Sequence, residues 1–133
     1  MSATADTIPL MTEQDVVAAR QLVRKLTQQR GFSLVDQTKL VTATSELARN
    51  TVKYGGGGAM HWEVVHDASR QGVRLRFEDK GPGIPDVDQA MVDGWTTGGG
   101  LGMGLSGAKR LVNEFTIDTV LGEGTTVTIT RWK

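Results

Sequence analysis

Val16, Ala19, Val23 and Leu26 recur at the three- and four-residue spacing of one helix face, while Arg20, Arg24 and Lys25 fall on other faces. Thr12 is placed as the N-cap, with Asp15 as its capping-box partner, and Gly31 can end the helix in a left-handed conformation. The pattern predicts a first helix over 13–30. Ser33 followed by Asp36 repeats the cap signal, and Leu40, Ala43, Leu47 and Thr51 form the buried stripe of a second helix over 34–54, stopped by Gly55 to Gly58.

The period then changes. Met60–Asp67 and Val73–Asp79 read as antiparallel strands, the second with Val73, Leu75 and Phe77 inward and Arg74, Arg76 and Glu78 outward, joined by a turn at Ser69-Arg70-Gln71-Gly72. A short helical piece over 86–92 follows Pro85. A further helix over 104–113 turns Leu105, Ala108 and Leu111 or Val112 inward, and strands over 115–121 and 125–132 close the chain through Gly122-Glu123-Gly124. Residues 1–11 read as a loose lead-in with an edge strand around Thr7–Leu10, because Pro9 argues against a central position. Early helices and hairpin-paired strands predict an α+β fold, a two-layer sandwich of a mixed or antiparallel sheet covered on one face by helices.

Composition narrows the function classes. At 133 residues, the expectation is a single domain over 1–133 with one core. Fifteen basic and fifteen acidic residues cancel, which leaves no broad positive field for nucleic acid or an anionic membrane, so neither is expected as a partner. The absence of cysteine excludes disulfides, thiolate metal sites and thiol catalysis. Met1-Ser2-Ala3-Thr4-Ala5-Asp6 lacks a basic and apolar leader, and no apolar run reaches membrane-span length; the expected location is cytoplasmic.

Three stretches carry candidate chemistry. Glu46 and Asn50 stand four apart on the second helix, so a carboxylate and an amide share one face, although such pairs are also ordinary helix surface. Asp79 ends a strand where the chain turns through Gly81-Pro82-Gly83. A carboxylate there accepts but cannot donate, which suits an exocyclic amino group such as adenine N6 and opposes guanine O6; the plainer alternative is a capped turn. Gly98 to Leu105 offers consecutive amides to phosphate oxygens, with a helix starting at about Gly104; the plainer alternative is a linker. That stretch is no Walker A loop, since no Gly-Lys-Ser/Thr follows. His61 and His66 lie on one strand facing opposite ways, which makes a metal site or phosphohistidine unexpected, and the three tryptophans read as packing residues.

Taken in order, Glu46-x-x-x-Asn50, Asp79-x-Gly81-x-Gly83, Gly98-Gly99-Gly100-Leu101-Gly102-Met103-Gly104-Leu105 and Gly124-Thr125-Thr126 resemble the N, G1, G2 and G3 boxes of the GHKL ATPase superfamily with its Bergerat-type fold. The likeness is to small anti-sigma-factor-type serine/threonine kinases, the RsbT type in particular, and covers about residues 12–132; Met103 stands where leucine is more usual. The resemblance implies an ATP-dependent serine/threonine protein kinase with ATP and Mg²⁺ as cofactors. Glu46 would be the general base, Asn50 would supply an oxygen to Mg²⁺, and Asp79 would take the adenine amino group beside Gly81 and Gly83, helped by Thr126 through water. Gly100, Leu101, Gly102, Met103, Gly104 and Leu105 would wrap the phosphates, with residues 85–103 as a mobile lid. Arg49, Lys53, Lys109 and Arg110 read as solvated charges, with a phosphate or partner contact as the alternative for the first two.

The implied setting is a partner-switching stress or sigma-factor pathway, with a STAS-domain antagonist as the phosphorylation substrate. The competing reading is an ATP-binding switch that docks to a sigma factor or a PP2C-type phosphatase without essential turnover. No phosphoacceptor helix pair precedes the ATP module, which argues against a sensor histidine kinase.

Overall fold

The structure, a computed structural model, describes residues 4–91 and 104–133. The order along the chain is β1 (Ala5–Leu10), α1 (Glu13–Gln29), α2 (Leu34–Lys53), β2 (Gly58–Asp67), β3 (Arg70–Asp79), α3 (Val87–Ala90), α4 (Gly104–Arg110), β4 (Glu114–Val120) and β5 (Gly124–Trp132). The five strands form one sheet in the order β1-β2-β3-β5-β4, with every described pairing antiparallel. The lead-in is more ordered than its sequence suggests: β1 pairs with β2 along its whole length, and Leu10 is fully buried. Pro9 is accommodated because β1 is the edge.

Both cap predictions hold. Thr12 Oγ1 accepts from Asp15 N at 3.2 Å while Asp15 Oδ2 accepts from Thr12 N at 3.1 Å, and Ser33 Oγ accepts from Asp36 N at 3.1 Å. Gly31 follows α1 at φ +79°. Val16, Ala19, Val23 and Leu26 on α1 and Leu40, Ala43, Leu47 and Thr51 on α2 are buried against Met60, Trp62, Val73, Leu75, Phe77, Val127 and Ile129 of the sheet. The threonines buried within these helices return their hydroxyls to a carbonyl one turn back, as Thr51 Oγ1 does to Leu47 O at 3.0 Å, so burial leaves no orphaned donor there.

The other face of the sheet is polar. Arg74 reaches Glu63 at 3.6 Å, Glu114 at 3.7 Å and Thr130 Oγ1 at 3.0 Å, tying four strands across that face. Two details differ from expectation. The β2–β3 turn is Ala68-Ser69 rather than Ser69 to Gly72, with Ala68 held at φ 51°, because pairing continues to Asp67 opposite Arg70. The helix expected over 104–113 ends at Arg110, and the chain from Leu111 bends directly into β4, with Asn113 N donating to Thr130 O at 3.0 Å.

Candidate nucleotide site

The last turn of α2, the end of β3 and the start of α4 meet at one place. The Asn50 carbonyl accepts from Tyr54 N at 2.9 Å and Gly55 N at 3.1 Å, which closes α2 and aims the glycine run at the sheet. Gly55 then lies so close to Asp79 that a Cβ there would stand 2.4 Å from Asp79 Cγ, and a Cβ on Gly81 would stand 2.7 Å from Gly55 O. Backbone without side chains is what allows this approach. On the other flank, Gly104 at the head of α4 is placed so that a Cβ would come 3.0 Å from Asn50 Nδ2.

Asp79 is half-buried, and its parity puts it on the helix-facing side with Phe77 and Leu75. Its Oδ1 accepts from Gly81 N at 2.9 Å, which fixes the carboxylate at the mouth of the turn. The turn is itself fastened to the far hairpin: Gly122 N donates to Pro82 O at 2.9 Å, and Ile84 N donates to Thr119 Oγ1 at 2.9 Å. Gly83 takes φ +79°, with Val120 O 2.7 Å from where a Cβ would be, so a side chain is excluded on both grounds.

Glu46 and Asn50 occupy one face of α2, both half-buried; Glu46 Oε1 lies 3.6 Å from Arg49 Nη1, a loose pair with Arg49 largely exposed. Such pairs contribute about 1 kcal/mol or less, so Glu46 is not locked to it. Lys53 is exposed, 5.6 Å from the Tyr54 ring centre, and Lys109 and Arg110 are exposed on α4. Leu105 is buried against the core, so its backbone rather than its side chain is what α4 offers. Gly100, Leu101, Gly102, Met103 and most of the expected lid lie outside the described residues; of that segment α3 is a single turn capped by Asp86 Oδ1 accepting from Gln89 N at 3.0 Å.

Thr126 is not where the sequence reading put it. It pairs with Glu78 and Asp118 on the polar face, turned away from Asp79. Thr125 instead pairs with Asp79 and shares the helix-facing side with Val127 and Ile129. Strict alternation back from those two apolar residues was the signal that identifies Thr125. Thr119 and Gly55 were also missed: the Thr119 hydroxyl meets the backbone of Ile84 and Gly124, and the Gly55 backbone lies against Asp79, contacts that sequence pattern does not pair.

The donor set suits a nucleotide and its metal in a particular way. Among the described residues no cluster of three or more His, Asp or Glu side chains exists to cage an ion. A hard divalent cation here would be held by the Asn50 amide oxygen together with phosphate oxygens, the usual mode for Mg²⁺. Among the described residues no helix is long and apolar enough to cross a membrane.

This arrangement is that of an ATP-binding fold, and residues 35–133 match the family profile of histidine kinase-, DNA gyrase B- and HSP90-like ATPases; the chain belongs to that family. It is 49% identical over 125 residues, 94% of either chain, to the serine/threonine-protein kinase RsbT of Bacillus subtilis. It is 31% identical to the adaptive-response sensory kinase SasA of a Synechococcus strain over 68% of this chain and 27% of that one. The crystal structure of the RsbU and RsbW domains of Rv1364c from Mycobacterium tuberculosis superposes with a TM-score of 0.69 at 23% identity, covering 98% of this chain and 33% of that one. That last likeness supports the fold.

Proposed function

We infer that the chain is an ATP-dependent serine/threonine protein kinase of a partner-switching pathway, and that its site transfers the γ-phosphoryl group of ATP to a hydroxyl on a STAS-domain antagonist. The observation that carries this is the convergence of Asn50, Asp79 and Gly104 on one place, in a chain 49% identical to a serine/threonine kinase along nearly its whole length. Asp79, with one oxygen taken by the Gly81 amide, keeps the other for the adenine amino group. Asn50 would hold Mg²⁺, which when bound neutralises phosphate charge. Glu46, on the same helix face as Asn50, takes the proton from the attacking hydroxyl, a general-base role typically worth about 10²–10⁴-fold. The remaining work is positioning and charge stabilisation, which glycine-lined backbone supplies. Partners of the sigma-factor or PP2C-phosphatase class and a cytoplasmic location fit the same reading.

Glu46→Gln keeps size and removes the base. With labelled ATP and a STAS-domain substrate, the expected outcome is loss of transfer by at least about 10²-fold with ATP affinity retained. Transfer at the wild-type rate would remove Glu46 from the mechanism. The wild-type protein binding ATP and transferring nothing would instead favour a switch that acts by docking.

A further inference from the structure

Thr119 on β4 sits opposite Thr125 on β5, and its hydroxyl is the meeting point of three hydrogen bonds. Ile84 N donates to Thr119 Oγ1 at 2.9 Å, Thr119 Oγ1 donates to Gly124 O at 3.2 Å, and the two threonine hydroxyl oxygens lie 3.0 Å apart. A hydroxyl carries one proton and two lone pairs. The Gly124 carbonyl only accepts and the Ile84 amide only donates, so the single Thr119 proton goes to Gly124. The bond between the threonines then forms only if Thr125 is the donor. One arrangement of protons satisfies all three contacts, and in it the Thr125 oxygen has lone pairs but no proton left for a ligand.

Thr125 is also the cross-strand partner of Asp79, on the same side of the sheet. A carboxylate likewise only accepts. We propose that Thr119 is a positioning residue for base recognition: by taking the Thr125 proton it makes the Asp79–Thr125 wall acceptor-only, which favours a base presenting an amino group and disfavours one presenting a keto oxygen. The inference rests on the reading of Asp79 as the base-contacting residue. It differs from a purely structural role, in which Thr119 merely ties the Gly81-Pro82-Gly83 turn to the sheet and its loss weakens every nucleotide alike.

The experiment compares dissociation constants for ATP and ITP, which differ in amino against keto at the six-position, in the wild-type protein, Thr119→Val and Thr119→Ser. Valine keeps the shape but frees the Thr125 proton to turn toward the base and donate to a keto oxygen. ATP affinity is expected to fall about 5-fold and the preference for ATP over ITP to shrink about 10-fold, with serine restoring both. Equal losses for the two nucleotides in Thr119→Val, or a serine variant that fails to restore the preference, would overturn the proposal. Should Thr119→Val not fold, Thr125→Val leaves the Ile84 and Gly124 bonds of Thr119 intact; a narrowed preference there supports the acceptor wall and an unchanged one overturns it. A wild-type protein without affinity for ATP would overturn the reading of the site itself. A wild type that prefers ATP, with a variant preferring it equally, overturns this inference alone.

Discussion

At its N-terminal end α2 is closed by side chains: Ser33 caps it, and Arg131 Nη2 donates to Asp36 Oδ1 at 2.6 Å, joining the helix to the last strand. At its C-terminal end, closure comes from backbone and glycine, with Gly55 against Asp79 and Gly104 against Asn50. At the first end Ser33, Asp36 and Arg131 Nη2 are paired with protein, while the buried Arg131 Nε has no partner among the described residues. The second keeps side chains out, and the polar atoms it does present, on Asn50, Asp79 and Thr125, line one end of an otherwise apolar sheet face. On the proposed function, one helix serves stability at one end and ligand capture at the other, and substitutions at the two ends should separate these properties.

The largest effect is expected at Gly55. A Cβ in Gly55→Ala would overlap the Asp79 carboxylate, whose short side chain has little room to yield, and ATP affinity measured by calorimetry should drop by roughly 100-fold. Retained affinity would mean that Asp79 is not needed where it stands. Asp79→Asn is gentler on the fold, because the amide oxygen can still accept from Gly81 N, but it turns an acceptor toward the base into a donor. Its ATP affinity should fall about 10-fold to 30-fold with an unfolding midpoint near that of the wild type, and an unchanged affinity would remove the adenine assignment.

The smallest effect on binding belongs to the opposite end. The Arg131 guanidinium hydrogen-bonded to Asp36 holds its carboxyl below its ordinary value of 3.8, with the Arg131 and Lys39 charges and the Ser33 cap acting the same way and burial opposing them. A carboxylate with a lowered folded-state value adds stability that is present above the ordinary value and is lost as pH falls through the lowered one. Asp36→Asn should therefore cost about 1 kcal/mol near neutral pH and leave ATP affinity unaltered. In chemical denaturation the gap between variant and wild type should close as pH drops from 3.8 downward. A gap that persists in acid would point to lost packing of Arg131 rather than lost charge.

Much of this architecture is local and was legible in the chain. The caps at Thr12 and Ser33, the buried stripes of α1 and α2, and the alternation of β3 depend on residues within a turn or two of each other, so spacing alone reports them. The pairing of Glu46 with Asn50 on one face follows from helical period in the same way. The order of the glycine boxes along the chain carried the family likeness.

What only the tertiary structure decided involves groups distant in sequence. Asp36 and Arg131 are 95 positions apart, and nothing in either neighbourhood marks the other. Gly55 against Asp79 depends on where a helix end meets a strand end, to within a side chain's width. That Thr125 stands opposite Asp79, and Thr126 opposite Glu78, was set by the register of β5 against β3. Alternation back from Val127 and Ile129 gives the face on which Thr125 lies; only the packed sheet sets it beside Asp79.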